Sequence, residues 1–417
     1  MSFKFSIHRI VVVLLGVLPL LNGCAEQLAV IKPLDPVNPF AAIPLKSPVP
    51  NNAAEQRLAG WPDGSITVLW WENPTNGKYT VRVSTLAGDT WTSPSQVTDM
   101  PNVVDTQIAP IGNDTLAAMW MVSIPVKNVG GEVQELHVAR GDKHGNHWSH
   151  PIRLDQRPIL SNKVSPVLAA LADGSLLATW IDIPSMAAIP SGIQDGVKAT
   201  ENSSSLMVAR IEKDNAMVKL MTVDKEFCTC CGPALVADGQ DGLLAYRDLQ
   251  GDNIRDPAFI RVSLDSFSPS AIVHNDRWKI DGCPSSGPVI SRFRQSAGIA
   301  WLTSVQDRYT IRVAFSHDNG GHFGLPVDLE SNIASVNGIE MDSPHSALVV
   351  WTGQALRLAR VYDDGRIEHR TDVLKPTQGQ AFKWPGPRMA KTKDDVFITW
   401  NDEQSKKLGI VKVKVNE

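Results

Sequence analysis

The 417-residue chain is predicted to be all-β, a β-propeller of seven four-stranded blades with an N-terminal strand closing the last one. Three observations predict this. Seven short apolar runs end in an aromatic residue: Trp70, Trp120, Trp180, Tyr246, Trp301, Trp351 and Trp400, spaced 49 to 66 residues apart. Repetition near this period, built from short strands and turns, marks radially arranged small sheets that cannot bury their faces alone. Hairpin signals such as Asp173-Gly174 sit between the runs. The final repeat has sequence for only three strands, so its outer strand must come from elsewhere. Six blades are the alternative if one repeat is not a full sheet.

Residues 1–23 read as a signal peptide. Lys4, His8 and Arg9 precede an apolar stretch, Ile10 to Leu21, of signal-core length and too short to span a bilayer. The stretch ends Leu21-Asn22-Gly23-Cys24, which resembles the lipobox of bacterial lipoproteins; the resemblance implies lipidation of Cys24. With Ala25 rather than Asp next, it implies an outer-membrane anchor, facing the periplasm or the surface. Residues 24–52 carry six prolines and read as an extended tether, within which Ala41 to Val49 is the natural closing strand. The propeller is assigned to residues 53–417.

In the third repeat the four strands are predicted at Pro166 to Ala172, Ser175 to Ile181, Ser205 to Ile211 and Val218 to Val223. The fifth has the same layout: Val289 to Phe293, Gly298 to Trp301, Tyr309 to Phe315 and Gly324 to Leu329. The last has Pro387 to Ala390, Val396 to Trp400 and Leu408 to Val415. The stretch Ser316-His317-Asp318-Asn319-Gly320-Gly321-His322-Phe323 matches the Asp-box, in which Ser and Asp side chains satisfy backbone donors of a tight turn. Eroded copies surround Ser84, Gly88 and Trp91, and Gly145 and Trp148. On these residues the chain resembles the sialidase-like propellers. In them Ser316, Asp318, Gly320 and Phe323 would form the turn between the third and outer strands, away from the binding face.

A net charge of −4 without charge blocks gives no footprint for nucleic acid. Propeller topology brings the crossings between blades and the turns after the second strands to one face, where Glu72, Asp182, Asp248 and Asp402 occupy equivalent positions. The crossings into blades 4 and 5 are Phe227-Cys228-Thr229-Cys230-Cys231-Gly232-Pro233 and Trp278-Lys279-Ile280-Asp281-Gly282-Cys283-Pro284-Ser285-Ser286-Gly287-Pro288, with Tyr246-Arg247-Asp248 and Arg255-Asp256 between them. This combination is similar to that of a group of secreted bacterial sialidase-like proteins, over roughly residues 224 to 290. Three states of the cysteines compete. The first is two disulfides, for which Cys228–Cys231 with Cys230–Cys283 is the least strained pairing. The others are a soft thiolate site for copper or zinc and a redox-active pair.

Arg247, Asp248, Arg255, Asp256 and Trp278 are therefore the candidate ligand contacts, since a guanidinium fork suits a carboxylate. Sialidases hold their sugar carboxylate with three arginines and attack with a Tyr–Glu pair. The Arg-Ile-Pro motif of that family is missing, and Tyr246 is the one tyrosine expected at the rim. The expected function is an envelope lipoprotein binding a glycan or small anion at this rim, with no cofactor. The alternatives are a sialidase-type glycoside hydrolase, with Tyr246 or paired carboxylates such as Asp182 and Asp248 as catalytic candidates, and a copper-handling protein using Cys228, Cys230, Cys231 and Cys283. Long loops at Ser123 to Val133 and Ile183 to Asn202 suggest a partial lid.

Overall fold

A computed structural model describes residues 40–415, apart from 52, 73–78, 126–131, 156–160, 185–203, 216–217, 264–265, 306, 332–334, 376–385 and 403–406. The signal peptide and Cys24 lie outside these residues, as does most of the expected lid at 185–203. In blade 2 the second and third strands, Thr115–Pro125 and Glu132–Asp142, run further than expected, so only 126–131 of that loop is left outside the description.

Seven antiparallel sheets are present. Blade 3 comprises Ser161–Ala170, Leu176–Pro184, Ser205–Ile211 and Val218–Asp224. Blade 4 comprises Ala234–Asp238, Asp241–Arg247, Pro257–Val262 and Ala271–Ile272. Blade 7 runs Arg388–Lys391, Asp395–Asp402 and Lys407–Lys414, and its fourth strand is Ala41–Pro44 from the other end of the chain. Ala41 pairs with Lys414 and Pro44 with Val411, so the N-terminal strand closes the ring. Leu45 continues the ladder through its amide to the Ile410 carbonyl. The strand is shorter than Ala41 to Val49; Val49 instead buries its side chain between blades 7 and 1.

The aromatic period has a packing cause. Apolar side chains of neighbouring blades interdigitate into separate clusters around the ring, and six of the seven second-strand aromatics are among the largest fully buried side chains, Trp400 being partly buried. Burying a ring of this size is worth several kcal/mol, but an indole N–H needs a partner. Trp301 donates to Asp276 and Trp351 to Glu330, both at 2.7 Å.

The Asp-box is the turn between the third and outer strands of blade 5, Arg308–Ser316 and Val327–Ser331. Asp318 accepts the Gly321 and His322 amides, while Ser316 Oγ accepts the Gly320 amide. Gly320 has φ +72°, which a Cβ would strain. Phe323 packs edge-on against Phe259 of blade 4. In blade 2 Asp142 plays the same part, accepting the His144 and Asn146 amides. No helix among the described residues is long and apolar enough to cross a membrane.

Candidate functional site

The crossings into blades 4 and 5 pack together on the cysteine-bearing face. The Cys228 amide donates to the Arg247 carbonyl, and Phe227 bridges Asp248, so the first crossing lies along the end of the second strand of blade 4. The turn following that strand folds back, with the Asp248 amide on the Asp256 carbonyl. The Arg255 amide donates to the Trp278 carbonyl, which ties in the second crossing. Gly232-Pro233 and Gly287-Pro288 meet where the crossings enter their blades. A Cβ on Gly287 would lie 1.8 Å from the Gly232 carbonyl oxygen, so only glycine permits the approach.

This approach brings the four sulfurs together. Cys230 and Cys283 form a disulfide whose ends are exposed. Cys228 and Cys231 are buried free thiols with their sulfurs 2.7 Å apart, and Cys228 Sγ lies 3.5 Å from Cys230 Sγ. The expected Cys228–Cys231 bridge is thus corrected to a dithiol in contact. The Cys228-x-x-Cys231 turn, fixed by the Cys231 amide on the Cys228 carbonyl, places the two sulfurs side by side. The hydrogen bond with Cys231 and the nearby charges of Arg255 and Arg247 push the Cys228 thiol down to about 7 against the opposing effect of burial. Cys231 moves up, because of the same bond with Cys228 and its own burial.

Two of the expected ligand contacts, Arg247 and Asp256, hydrogen-bond to the backbone of the fold itself. Arg247 is 1% exposed. Its Nε donates to the Ser286 carbonyl at 2.7 Å, Nη1 to the Arg255 carbonyl at 2.8 Å and Nη2 to the Leu302 carbonyl, and the guanidinium sits 4.9 Å over the Trp278 ring. Its fork binds the second crossing, the turn of blade 4 and blade 5, and the side chain is buried away from the rim surface. Asp256 accepts the Arg277 and Trp278 amides at 2.9 and 3.1 Å. Burial nonetheless pushes its carboxyl up. Trp278 and Arg255 are buried in the same layer.

Tyr246 occupies the position that tryptophan holds in the other blades and is buried between blades 3 and 4. Its hydroxyl contacts Asp224 and Ser270, and burial holds it protonated, which is the opposite of an activated nucleophile. Asp182 lies 4.0 Å from the buried Lys163 Nζ, which also reaches Asp155 at 3.4 Å, so a lysine faces this carboxylate. Asp248 accepts from Gln250, and burial raises its carboxyl; it is the least committed of the expected residues. Glu72 pairs with Arg82.

Sequence reasoning missed Asp276, whose carboxylate accepts from the Trp301 indole and pairs with Arg312 and His274 beneath the second crossing. Its position one residue before Arg277-Trp278 in the second crossing was the available signal. On the opposite face a cavity of about 730 Å³ opens between blades 4 and 5, lined by Asp238, Asp241, Arg292, Arg294 and Asn319. Arg292 there is held by Asp241 and Asn319.

The four sulfurs fit a soft metal only in part: they lie within 4.8 Å of one another, but two of them are spent on the Cys230–Cys283 bond. Reduction would be needed before all four could act as thiolates.

No protein-family profile and no curated protein matches the chain. Among solved structures it is similar to a protein of unknown function from Dyadobacter fermentans (11% identity, covering 91% of this chain and 98% of that one, TM-score 0.49). It is also similar to an α-L-arabinofuranosidase from Fusarium graminearum (10%, 91% and 97%, TM-score 0.45). A leech intramolecular trans-sialidase is a third (10%, 90% and 90%, TM-score 0.44). These identities and scores carry no argument about the site. The chain's own seven sheets establish that it is a seven-bladed β-propeller.

Proposed function

We propose that the protein is a thiol–disulfide exchange protein of the cell envelope, anchored through a lipidated Cys24. One observation carries the reading: a buried dithiol, Cys228 and Cys231, lies 3.5 Å from an exposed disulfide, Cys230–Cys283. The Cys228 thiolate attacks Cys230 Sγ and expels Cys283 as a thiolate. Cys231 then gives its proton to solvent or to Cys283, attacks Cys228 and expels Cys230, which takes up a proton. Two electrons and two protons leave the buried pair and reach the exposed pair, which exchanges with an external thiol or disulfide. Arg247, Arg255 and Asp256 hold the layer that positions the sulfurs.

A soft-metal reading is the second, favoured by the mutual proximity of all four sulfurs. A glycan or anion at this rim is less supported, since the Arg247 fork is already used.

Alkylation and intact-mass measurement separate these readings. Exchange predicts two alkylatable thiols in native protein and four after reduction, with Cys228 reactivity rising through a midpoint near pH 7. It also predicts a two-electron transition in thiol redox buffers that Cys228→Ser abolishes. Protein with no alkylatable thiol at any poise of the buffer sinks the proposal, as do four thiols protected stoichiometrically by Cu(I).

A further inference from the structure

The opposite face carries a second cluster that the cysteine centre does not use. His317 is the residue between the Ser and Asp of the Asp-box in blade 5. In blade 6, His345 lies in the turn between Ser335–Ser343 and Ser346–Thr352, and Asp363 follows Leu356–Tyr362. His317 Nε2 lies 3.0 Å and His345 Nδ1 2.6 Å from the same oxygen, Asp363 Oδ2, and the two rings are 5.1 Å apart. We propose that His317, His345 and Asp363 form a surface site for a first-row divalent transition cation.

Several features support a ligand set over an ordinary ion pair. A single carboxylate oxygen faces two imidazole nitrogens, so three donor atoms already converge on one point. The backbone beneath is tied, because the Asp363 amide donates to the His345 carbonyl. His317 rides on a turn fixed by the Asp318 and Ser316 hydrogen bonds. Its other ring nitrogen lies 3.3 Å from Ser296 Oγ, the kind of outer partner that orients a metal-binding imidazole.

Bonds of about 2.0–2.2 Å in a tetrahedral site require donors roughly 3.3 Å apart. The His317 pair must therefore open by about 0.3 Å and the His345 pair by about 0.7 Å, which the exposed His345 ring can supply by rotation. Two imidazoles and one carboxylate select zinc, nickel, cobalt or copper(II) over calcium or magnesium. Three protein donors leave an open position for water or a partner's donor.

The test is titration of the full-length protein with Co2+, read by visible absorption, and with Zn2+, read by calorimetry. The expected result is one Co2+ per chain with ligand-field bands and no thiolate charge-transfer band. His317→Ala and His345→Ala should each weaken binding by about a hundredfold. His147→Ala, also an exposed histidine beside an aspartate, should leave it unchanged. No saturable binding in wild type overturns the proposal. So does binding that survives the double variant, or that shows only the thiolate band of the cysteine centre.

Discussion

Replacing Arg247 tests whether it builds the rim or binds at it. The side chain is 1% exposed, and its guanidinium holds three carbonyls belonging to Ser286, Arg255 and Leu302. Hydrogen bonds from a charged donor contribute about 1.5–3 kcal/mol each, and a buried carbonyl left without a donor costs about 1–3 kcal/mol. Allowing for water entering the space, Arg247→Ala should destabilise the propeller by about 4–6 kcal/mol. For residues 40–415 the unfolding entropy is roughly 0.8 kcal/mol/K, so the melting temperature should fall by about 5–8 °C. Arg247→Lys keeps the charge without the planar fork and should recover less than half of that loss. Differential scanning calorimetry reads both. A ligand-facing arginine would behave otherwise, since removing an unreciprocated buried charge leaves stability unchanged or raises it. A melting temperature for Arg247→Ala within 1 °C of wild type, or above it, would refute the structural assignment.

Three further outcomes are expected. The Glu340 carboxyl, hydrogen-bonded by Ser291 and near Lys391, is pushed up to about 7 by burial. Its proton is held more tightly folded than unfolded, so its contribution is fully present below about pH 4.5 and is lost as pH rises through 7. Glu340→Gln should flatten the fall in melting temperature between pH 5 and 8, and an unchanged slope counts against the burial argument. Deleting residues 26–44 uncovers the edge of Lys407–Lys414 and removes Phe40, which packs under Arg360, whereas deleting 26–33 should be nearly silent; equal melting temperatures for the two truncations would exclude closure by this strand. Cys24→Ala should move the protein from the membrane to the soluble envelope fraction, and retention at the membrane would remove the anchor from the proposal.

Much of the fold was legible because packing imposes a period. The aromatic at the end of each second strand recurs since each interface between blades needs one large side chain, and the Asp-box announces its own turn. The closing strand could be inferred from a count, as the last repeat lacked sequence for a fourth strand. The site was legible only as a neighbourhood. Cys228, Cys230, Cys231 and Cys283 do converge, but sequence cannot say which pair is bonded, because that depends on a backbone approach fixed by Gly232 and Gly287. Arg247 and Asp256 read as ligand contacts because Arg-Asp pairs on a rim usually face solvent. Here both are buried: the Arg247 guanidinium satisfies the Ser286, Arg255 and Leu302 carbonyls, and Asp256 the Arg277 and Trp278 amides. Tyr246 was misplaced for a related reason: as the substitute for a tryptophan it points between blades. The His317–His345–Asp363 cluster had no sequence signal, since its members lie on three turns and meet only through the ring.

The pairing of Ala41 with Lys414 has a kinetic consequence. These partners are 373 positions apart, and closing a loop of that length costs roughly 5 kcal/mol in chain entropy before any ladder bond repays it. During synthesis the closing strand emerges ahead of its partner, which follows only after the strands of blades 1 to 6. Blades 1 to 6 can assemble from local hairpins in the meantime, so the seam at blade 7 is the slowest contact to make. Until it forms, the strand Lys407–Lys414 carries an open edge. Latching that edge intramolecularly, rather than onto a neighbouring chain, is the step on which a good yield of folded ring depends.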